Sequence, residues 1–153
     1  MRGVDIRLAV AQDAQAIADM SRRDIEHGLG WSWDAPRVLR AIGDRATNVA
    51  VAARGETLLG FGIMQYAEET AHLSLLAVAP VARHQGLGKR LVGWLETVAR
   101  LAGIERLRVE ARADNANALA FYQAQGFTEL ARVHGYYSGR IDAVRLEKSL
   151  IRR

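Results

Sequence analysis

The chain has 153 residues, half of them hydrophobic and a quarter charged, which is ordinary globular composition with enough length for a real core. It contains no cysteine, so disulfides, a thiol nucleophile and zinc–thiolate sites are excluded. The formal net charge is +4, but the basic residues are scattered from Arg2 to Arg153, which reads as a solvated surface rather than a nucleic-acid module.

The N-terminal stretch MRGVDIRLAVAQDAQAIADM has no long apolar run and no cleavage-site pattern. Neither a signal peptide nor a membrane span is expected, and a cytoplasmic location is the default. DIRLAV (5–10) predicts a short strand. Residues 11–26 predict a helix, with Ala14, Ile17, Ala18 and Ile25 near helical spacing. EHGLGWSWDAP (26–36) is irregular, and Asp34 is suited to cap a second helix whose first turn tolerates Pro36 and which ends near Gly43.

NVAVAAR (48–54) and TLLGFGIMQYA (57–67) predict a hairpin around a Gly-Glu turn. AHLSLLAVA (71–79) predicts a further strand, stopped by Pro80. Residues 85–102 predict a strong helix with Leu87, Leu91, Trp94, Leu95, Val98 and Leu101 as one apolar stripe, closed by Gly103. RLRVEAR (106–112) predicts a strand. Asp114 can cap the helix that follows, and Gly126 ends it. GFTELARVHGYY and DAVRLEKSL predict two last strands joined near Gly139. The order β-α-α-β-β-β-α-β-α-β-β predicts one α/β domain over residues 1–153, with a mixed sheet and helices on its faces.

Two glycines one residue apart stand between Arg83 and Lys89, where a strand gives way to a long helix. The first amides of a helix lack internal partners and carry partial positive charge. Such an end takes phosphate readily, and glycine lets a ligand approach the backbone. RHQGLGKR therefore makes physical sense as a pyrophosphate cradle; the plainer alternative is a glycine-rich turn that starts a helix. The third glycine of the dinucleotide fingerprint and the Gly-Lys-Ser/Thr triplet of a P-loop are both absent.

The stretch LLAVAPVARHQGLGKRL resembles the signature of the GCN5-related N-acetyltransferases (GNAT), whose Gln/Arg-x-x-Gly-x-Gly/Ala loop falls on Arg83, His84, Gln85, Gly86, Leu87 and Gly88. RVEARADNANALAFYQAQGF resembles the other half of that family's core. Within the family, the pattern on Glu110, Arg112, Asn115 and Tyr122, with the pair Tyr136 and Tyr137, resembles bacterial enzymes that acetylate the N-terminal alanine of a ribosomal protein.

The resemblance implies a single GNAT-like domain with a mixed, mostly antiparallel sheet of six to seven strands, helices on both faces and a splayed central strand pair. It implies acetyl-CoA as cofactor, with main-chain groups of Leu76, Ala77 and Val78 toward the pantetheine. The loop from Arg83 to Lys89 would hold the pyrophosphate, and Asn115 would hydrogen-bond the cofactor. It offers Glu110 as general base, directly or through water, and Tyr122 as general acid, so no protein nucleophile is needed. The acceptor is a primary amine, either a protein N-terminus or a small molecule. A non-catalytic acyl-CoA-binding regulatory domain is the alternative. No nucleic acid, membrane or metal partner is expected; pairing of two copies through the C-terminal strands is implied for many members.

The parts that read the acceptor match least well. Trp31 and Trp33 flank Ser32 in GLGWSWDAP and form either a lid over the acceptor or part of the core. With Tyr136 and Tyr137 they are the candidate substrate-binding residues. His72 is either structural or joins a water chain to Glu110. His134 is either a loop residue or lines the acceptor site.

Overall fold

A computed structural model describes residues 3–26, 32–137, 139 and 141–151, with the backbone alone at Tyr137. The elements are β1 (Asp5–Leu8), α1 (Ala14–Asp24), α2 (Ala35–Gly43), β2 (Thr47–Arg54), β3 (Thr57–Ala67), β4 (Thr70–Val78), α3 (Leu87–Leu101), β5 (Arg106–Arg112), α4 (Ala116–Ala124), β6 (Thr128–Tyr137) and β7 (Ile141–Ser149). Short 3-10 turns precede α1 and follow β4. The order is the one the sequence predicts.

Capping chemistry sets two of the helix starts. The Asp34 carboxylate accepts the Arg37 amide at 3.0 Å, as predicted. At α4 the expectation fails by one residue: Asn115 is the cap, accepting the Ala118 amide at 3.0 Å. Asp114 is drawn instead to the Arg112 guanidinium at 3.1 Å.

The strands form one sheet in the order β1-β2-β3-β4-β5-β7-β6. Only β4 and β5 run parallel. Helices cover both faces. On one side α1 and α2 pack Ile17 and Val38, with Trp33, against Phe61, Ile63, Leu75 and Ala77. On the other, α3 and α4 pack Leu87, Leu91, Leu95 and Tyr122 against Leu73, Leu107, Val109 and Leu146. Each fully buried leucine contributes on the order of 2 kcal/mol, so this face fixes α3 firmly to the sheet. The predicted stripe of α3 is one residue too long: Leu101, in the last turn, is 84% exposed. Among the described residues no helix is long and apolar enough to cross a membrane.

One irregularity shapes the centre. Met64 pairs with Leu73 and Ile63 with Leu75, so Ser74 is an extra residue in β4. This bulge turns the strand over, placing Leu73 in one core and Leu75 in the other. Pairing between β4 and β5 stops at Leu73 and Val109. Beyond that point the two strands part, leaving residues 74–78 without a β5 partner.

Candidate active site

The edge of β4 opened by this parting leads directly into the glycine loop. A 3-10 turn over Pro80–Ala82 carries the chain to Gly86, which stands at the N-terminus of α3 with φ of 79°. A side chain there would be strained in its backbone, although nothing lies within 4 Å of where its Cβ would sit. No side chain caps α3, and the Arg90 amide is bonded to the Gly86 carbonyl at 3.1 Å. The preceding first-turn amides therefore have no side-chain partner at the helix's positive end. Gly88 serves packing instead. A Cβ on it would come within 3.3 Å of the Phe121 ring, so glycine there lets α4 approach α3.

Around this end, Arg83, His84, Gln85 and Lys89 are exposed, whereas the Leu87 side chain is core and leaves only its backbone to a ligand. Arg83 Nε donates to the Val78 carbonyl at 3.1 Å, and Gln85 Nε2 donates to the Val81 carbonyl at 3.3 Å. Uncapped amides, a left-handed glycine facing open space, two cations and a free strand edge fit a diphosphate-bearing carrier with an extended, amide-containing arm.

A cleft of about 640 Å³ lies where β4 and β5 part. It gathers Glu110 from β5, Tyr122 from α4, Asn115, Leu76 from β4, Trp33 and Tyr136 into one lining. Residues far apart in sequence thus meet as predicted. The Arg83–Lys89 loop and the Ala77 and Val78 side chains lie outside that lining.

Glu110 has only 7% of its side chain exposed. Its partners are neither Arg108 nor Arg112, its neighbours along β5; those pair with Glu147 and Asp114. One carboxylate oxygen, Oε2, meets His72 Nε2 in a close contact, and the other, Oε1, accepts from Arg145 Nε at 3.0 Å. Burial alone would push this carboxyl up. The hydrogen bonds and charges of His72 and Arg145 outweigh burial and hold it below the usual glutamate value. The sequence leaves His72 either structural or joined to Glu110 through water; in the structure it meets the carboxylate directly. Arg145 is the residue that sequence reading misses: it lies 35 positions away and is aligned with Glu110 only by the register of β5 and β7.

Tyr122 is 7% exposed and held edge-on between Phe121 and Phe127, with ring centroids 5.2 Å and 5.6 Å away. Asn115 spends its side-chain oxygen on the α4 cap, which leaves its amide group as the donor available to a ligand.

On the acceptor side, Trp33 is 7% exposed and packed in the α1–α2 core, so it is a wall of the cleft rather than an exposed lid. Arg37 stacks over its ring at 3.8 Å. Glu26, unremarked in the sequence, closes this corner. Its buried carboxylate accepts from the hydroxyls of Ser21 at 3.0 Å and Ser32 at 2.6 Å, and from the amides of Ser32 at 2.8 Å and Trp33 at 3.2 Å. Tyr136 is half-exposed at the rim. Its phenol is pushed up by burial and by the Glu110 carboxylate, with Arg145 opposing, which places it in the same electrostatic cluster. Trp31 and the Tyr137 side chain lie outside the described residues. His134 does not join the site: it is 90% exposed and pairs with Asp142 at 3.1 Å across the last hairpin. Among the described residues no group of three His, Asp or Glu could hold a metal ion.

Comparison with known proteins agrees with this geometry. The profile of the Acetyltransferase (GNAT) family matches residues 14–127. The chain is 35% identical over 115 residues to the [ribosomal protein bS18]-alanine N-acetyltransferase of Escherichia coli (strain K12), covering 73% of this chain and 77% of that protein. The crystal structure of the ribosomal-protein-S18-alanine N-acetyltransferase from Escherichia coli superposes with a TM-score of 0.84 at 26% identity, over 98% of this chain and 96% of that one. The PaiA N-acetyltransferase from Thermoplasma acidophilum, solved with coenzyme A, shares the fold with a TM-score of 0.81 at 19% identity, over 95% and 98% of the two chains.

Proposed function

The chain belongs to the acetyltransferase (GNAT) family and is an acetyl-CoA-dependent N-acetyltransferase; from that premise we propose that the transfer runs in the cleft where β4 and β5 part, with Glu110 on its proton-accepting side and Tyr122 as proton donor. When bound, acetyl-CoA supplies the acetyl thioester. Main-chain amides between Arg83 and Lys89 receive its pyrophosphate, the free edge of β4 at Leu76–Val78 receives its pantetheine arm, and the Asn115 amide donates a further hydrogen bond. The acceptor is a primary amine entering between Trp33 and Tyr136.

An amine that is protonated in water must lose a proton before it attacks, and a departing thiolate gains from receiving one; each such transfer is typically worth about 10²–10⁴ in rate. Glu110 lines the cleft buried and ionised, hydrogen-bonded by His72 and by the Arg145 guanidinium. Tyr122 lines the same cleft with its ring locked by two aromatic neighbours. The observation that carries this reading is that these two side chains, from a strand and from the following helix, line one cleft where β4 and β5 part. A domain that only binds acyl-CoA has no use for that pairing.

The likeness to the bS18-alanine enzyme makes a peptide with an N-terminal alanine the first acceptor to try. A panel of that peptide, a polyamine and an aminoglycoside, read by free thiol released from acetyl-CoA, tests the proposal. Thiol release with the peptide is the expected result. Tight acetyl-CoA binding with no release for any amine contradicts it and favours the non-catalytic binding domain.

A further inference from the structure

We propose that His72, not Glu110, is the group that takes the proton from the acceptor's ammonium, and that Glu110 is the positioning residue that orients it. The proposal rests on the acetyltransferase reading above and refines the assignment of its proton acceptor.

Three observations carry it. Both oxygens of Glu110 are already engaged, one by His72 Nε2 and the other by Arg145 Nε at 3.0 Å, and only 7% of the side chain is open to solvent. A carboxylate so placed has both oxygens occupied by donors and is shielded from an incoming amine. His72 is by contrast 37% exposed and lines the same cleft as Tyr122. Finally, only one of its ring nitrogens is committed. Nε2 faces the carboxylate, while Nδ1 has no hydrogen-bond partner among the described residues. A neutral imidazole facing an ionised carboxylate carries its proton on the nitrogen between them, which leaves the other nitrogen with its lone pair. This is the arrangement in which a buried acid holds an imidazole in the tautomer and orientation of a base.

The proton transfer balances simply. The ammonium nitrogen gives one proton to Nδ1 and keeps the N–H electron pair as its attacking lone pair. The ring becomes an imidazolium with a proton on each nitrogen, its new charge facing Glu110. The same proton then leaves Nδ1 for bulk water, the side chain being 37% exposed. A carboxylate held below its usual range is a poor match for an ammonium.

Other charged groups surround this pair. On β5, Arg108 stands beside His72 in register but is spent on Glu147 of β7. On β7, Arg145 backs Glu110; on β6, Tyr136 shares its field; Asp24, Glu26, Arg37 and Arg112 line the same cleft. Gln65 on β3, the other register partner of His72, is uncharged and holds Ser74 at 2.6 Å.

The test compares wild type, His72→Gln and Glu110→Gln in two measurements. The first is the rate–pH profile with the best amine of the panel above. The proposal expects His72→Gln to lower kcat by about 10²–10⁴ and to remove the acidic limb of the profile, with acetyl-CoA affinity unchanged. Glu110→Gln should keep an acidic limb but move it to lower pH, since the imidazolium has lost its counter-charge. If His72→Gln keeps the limb and most of the rate while Glu110→Gln abolishes both, Glu110 is itself the base and this proposal falls while the acetyltransferase reading stands. If no amine releases thiol, it is the acetyltransferase reading that fails. The second measurement needs no acceptor: two-dimensional nitrogen NMR of the His72 ring in the wild-type protein at about pH 8, above the ordinary histidine range. A proton on Nε2 and a lone pair on Nδ1 are expected, and a proton on Nδ1 overturns the assignment.

Discussion

The two halves of the site are built by different means. The half proposed to receive the cofactor is local and made of backbone: a strand edge, a turn, two glycines and a helix end, all between Leu76 and Lys89. The half proposed to receive the acceptor is made of side chains brought from α1, β4, β5, β6 and β7, tied by Glu110 to His72 and Arg145 and by Glu26 to Ser32 and Trp33. A backbone cradle can be reused for any acceptor. A side-chain network fixes one geometry and is sensitive to each member.

The largest expected effect breaks the first half. Gly86→Val forces a β-branched residue to a φ of 79° and puts its bulk where a ligand approaches. Acetyl-CoA affinity by calorimetry should fall at least about 100-fold, while the fold loses only about 1–2 kcal/mol of backbone strain. Unchanged affinity would remove the cradle from the account. Tyr122→Phe should do the reverse, lowering kcat about 10²–10⁴ and leaving acetyl-CoA affinity alone. Equal losses in both would mean that the hydroxyl is a binding group and not a proton donor.

Arg145→Met sharpens the contrast with a smaller effect. It leaves Glu110 with His72 as its remaining hydrogen-bond partner, so activity should drop about tenfold and urea unfolding should show a loss of about 1 kcal/mol, since the guanidinium is 36% exposed and partly screened. No change in activity would make that ion pair purely structural.

Acid should act on the same carboxylate. The folded-state pKa of Glu110 is depressed, as is that of Asp13, whose carboxyl is held down chiefly by its hydrogen bond to Arg7. The folded chain therefore binds fewer protons than the unfolded one over the interval between the two pKa values. Their contribution is fully present above the ordinary carboxylate range and is lost as pH falls through the folded values. Denaturation followed from about pH 6 downward should show stability declining below about pH 4, less steeply in Glu110→Gln.

The smallest effect separates the two uses of Asn115. Aspartate caps helices as well as asparagine, so Asn115→Asp should hold stability within about 0.5 kcal/mol. A several-fold loss of acetyl-CoA affinity in that variant would then report the missing amide donor; no loss would leave Asn115 a cap and nothing more.

What could be read from the sequence follows the same division. The glycine loop, the strand before it and the helix after it are set by contiguous residues, so their positions were legible in the sequence. Glu110 and Tyr122 were legible through their spacing and its resemblance to a family pattern. Arg145 was not, because its meeting with Glu110 depends on the register of β5 against β7, which alternation alone does not set. The Ser74 bulge was equally hidden, since AHLSLLAVA alternates in a way that any uninterrupted strand would share. Asp114 and Asn115 were both competent caps, and an arginine two residues upstream decided between them.

The central claim is that main-chain amides at the start of α3 aim a thioester at Tyr122, and a crystal structure with bound coenzyme A tests it most directly. The account predicts the pyrophosphate on the amides between Arg83 and Lys89, the pantetheine along Leu76–Val78 and the sulfur within hydrogen-bond reach of the Tyr122 hydroxyl. A pyrophosphate held elsewhere, or a sulfur turned away from Tyr122, would contradict it.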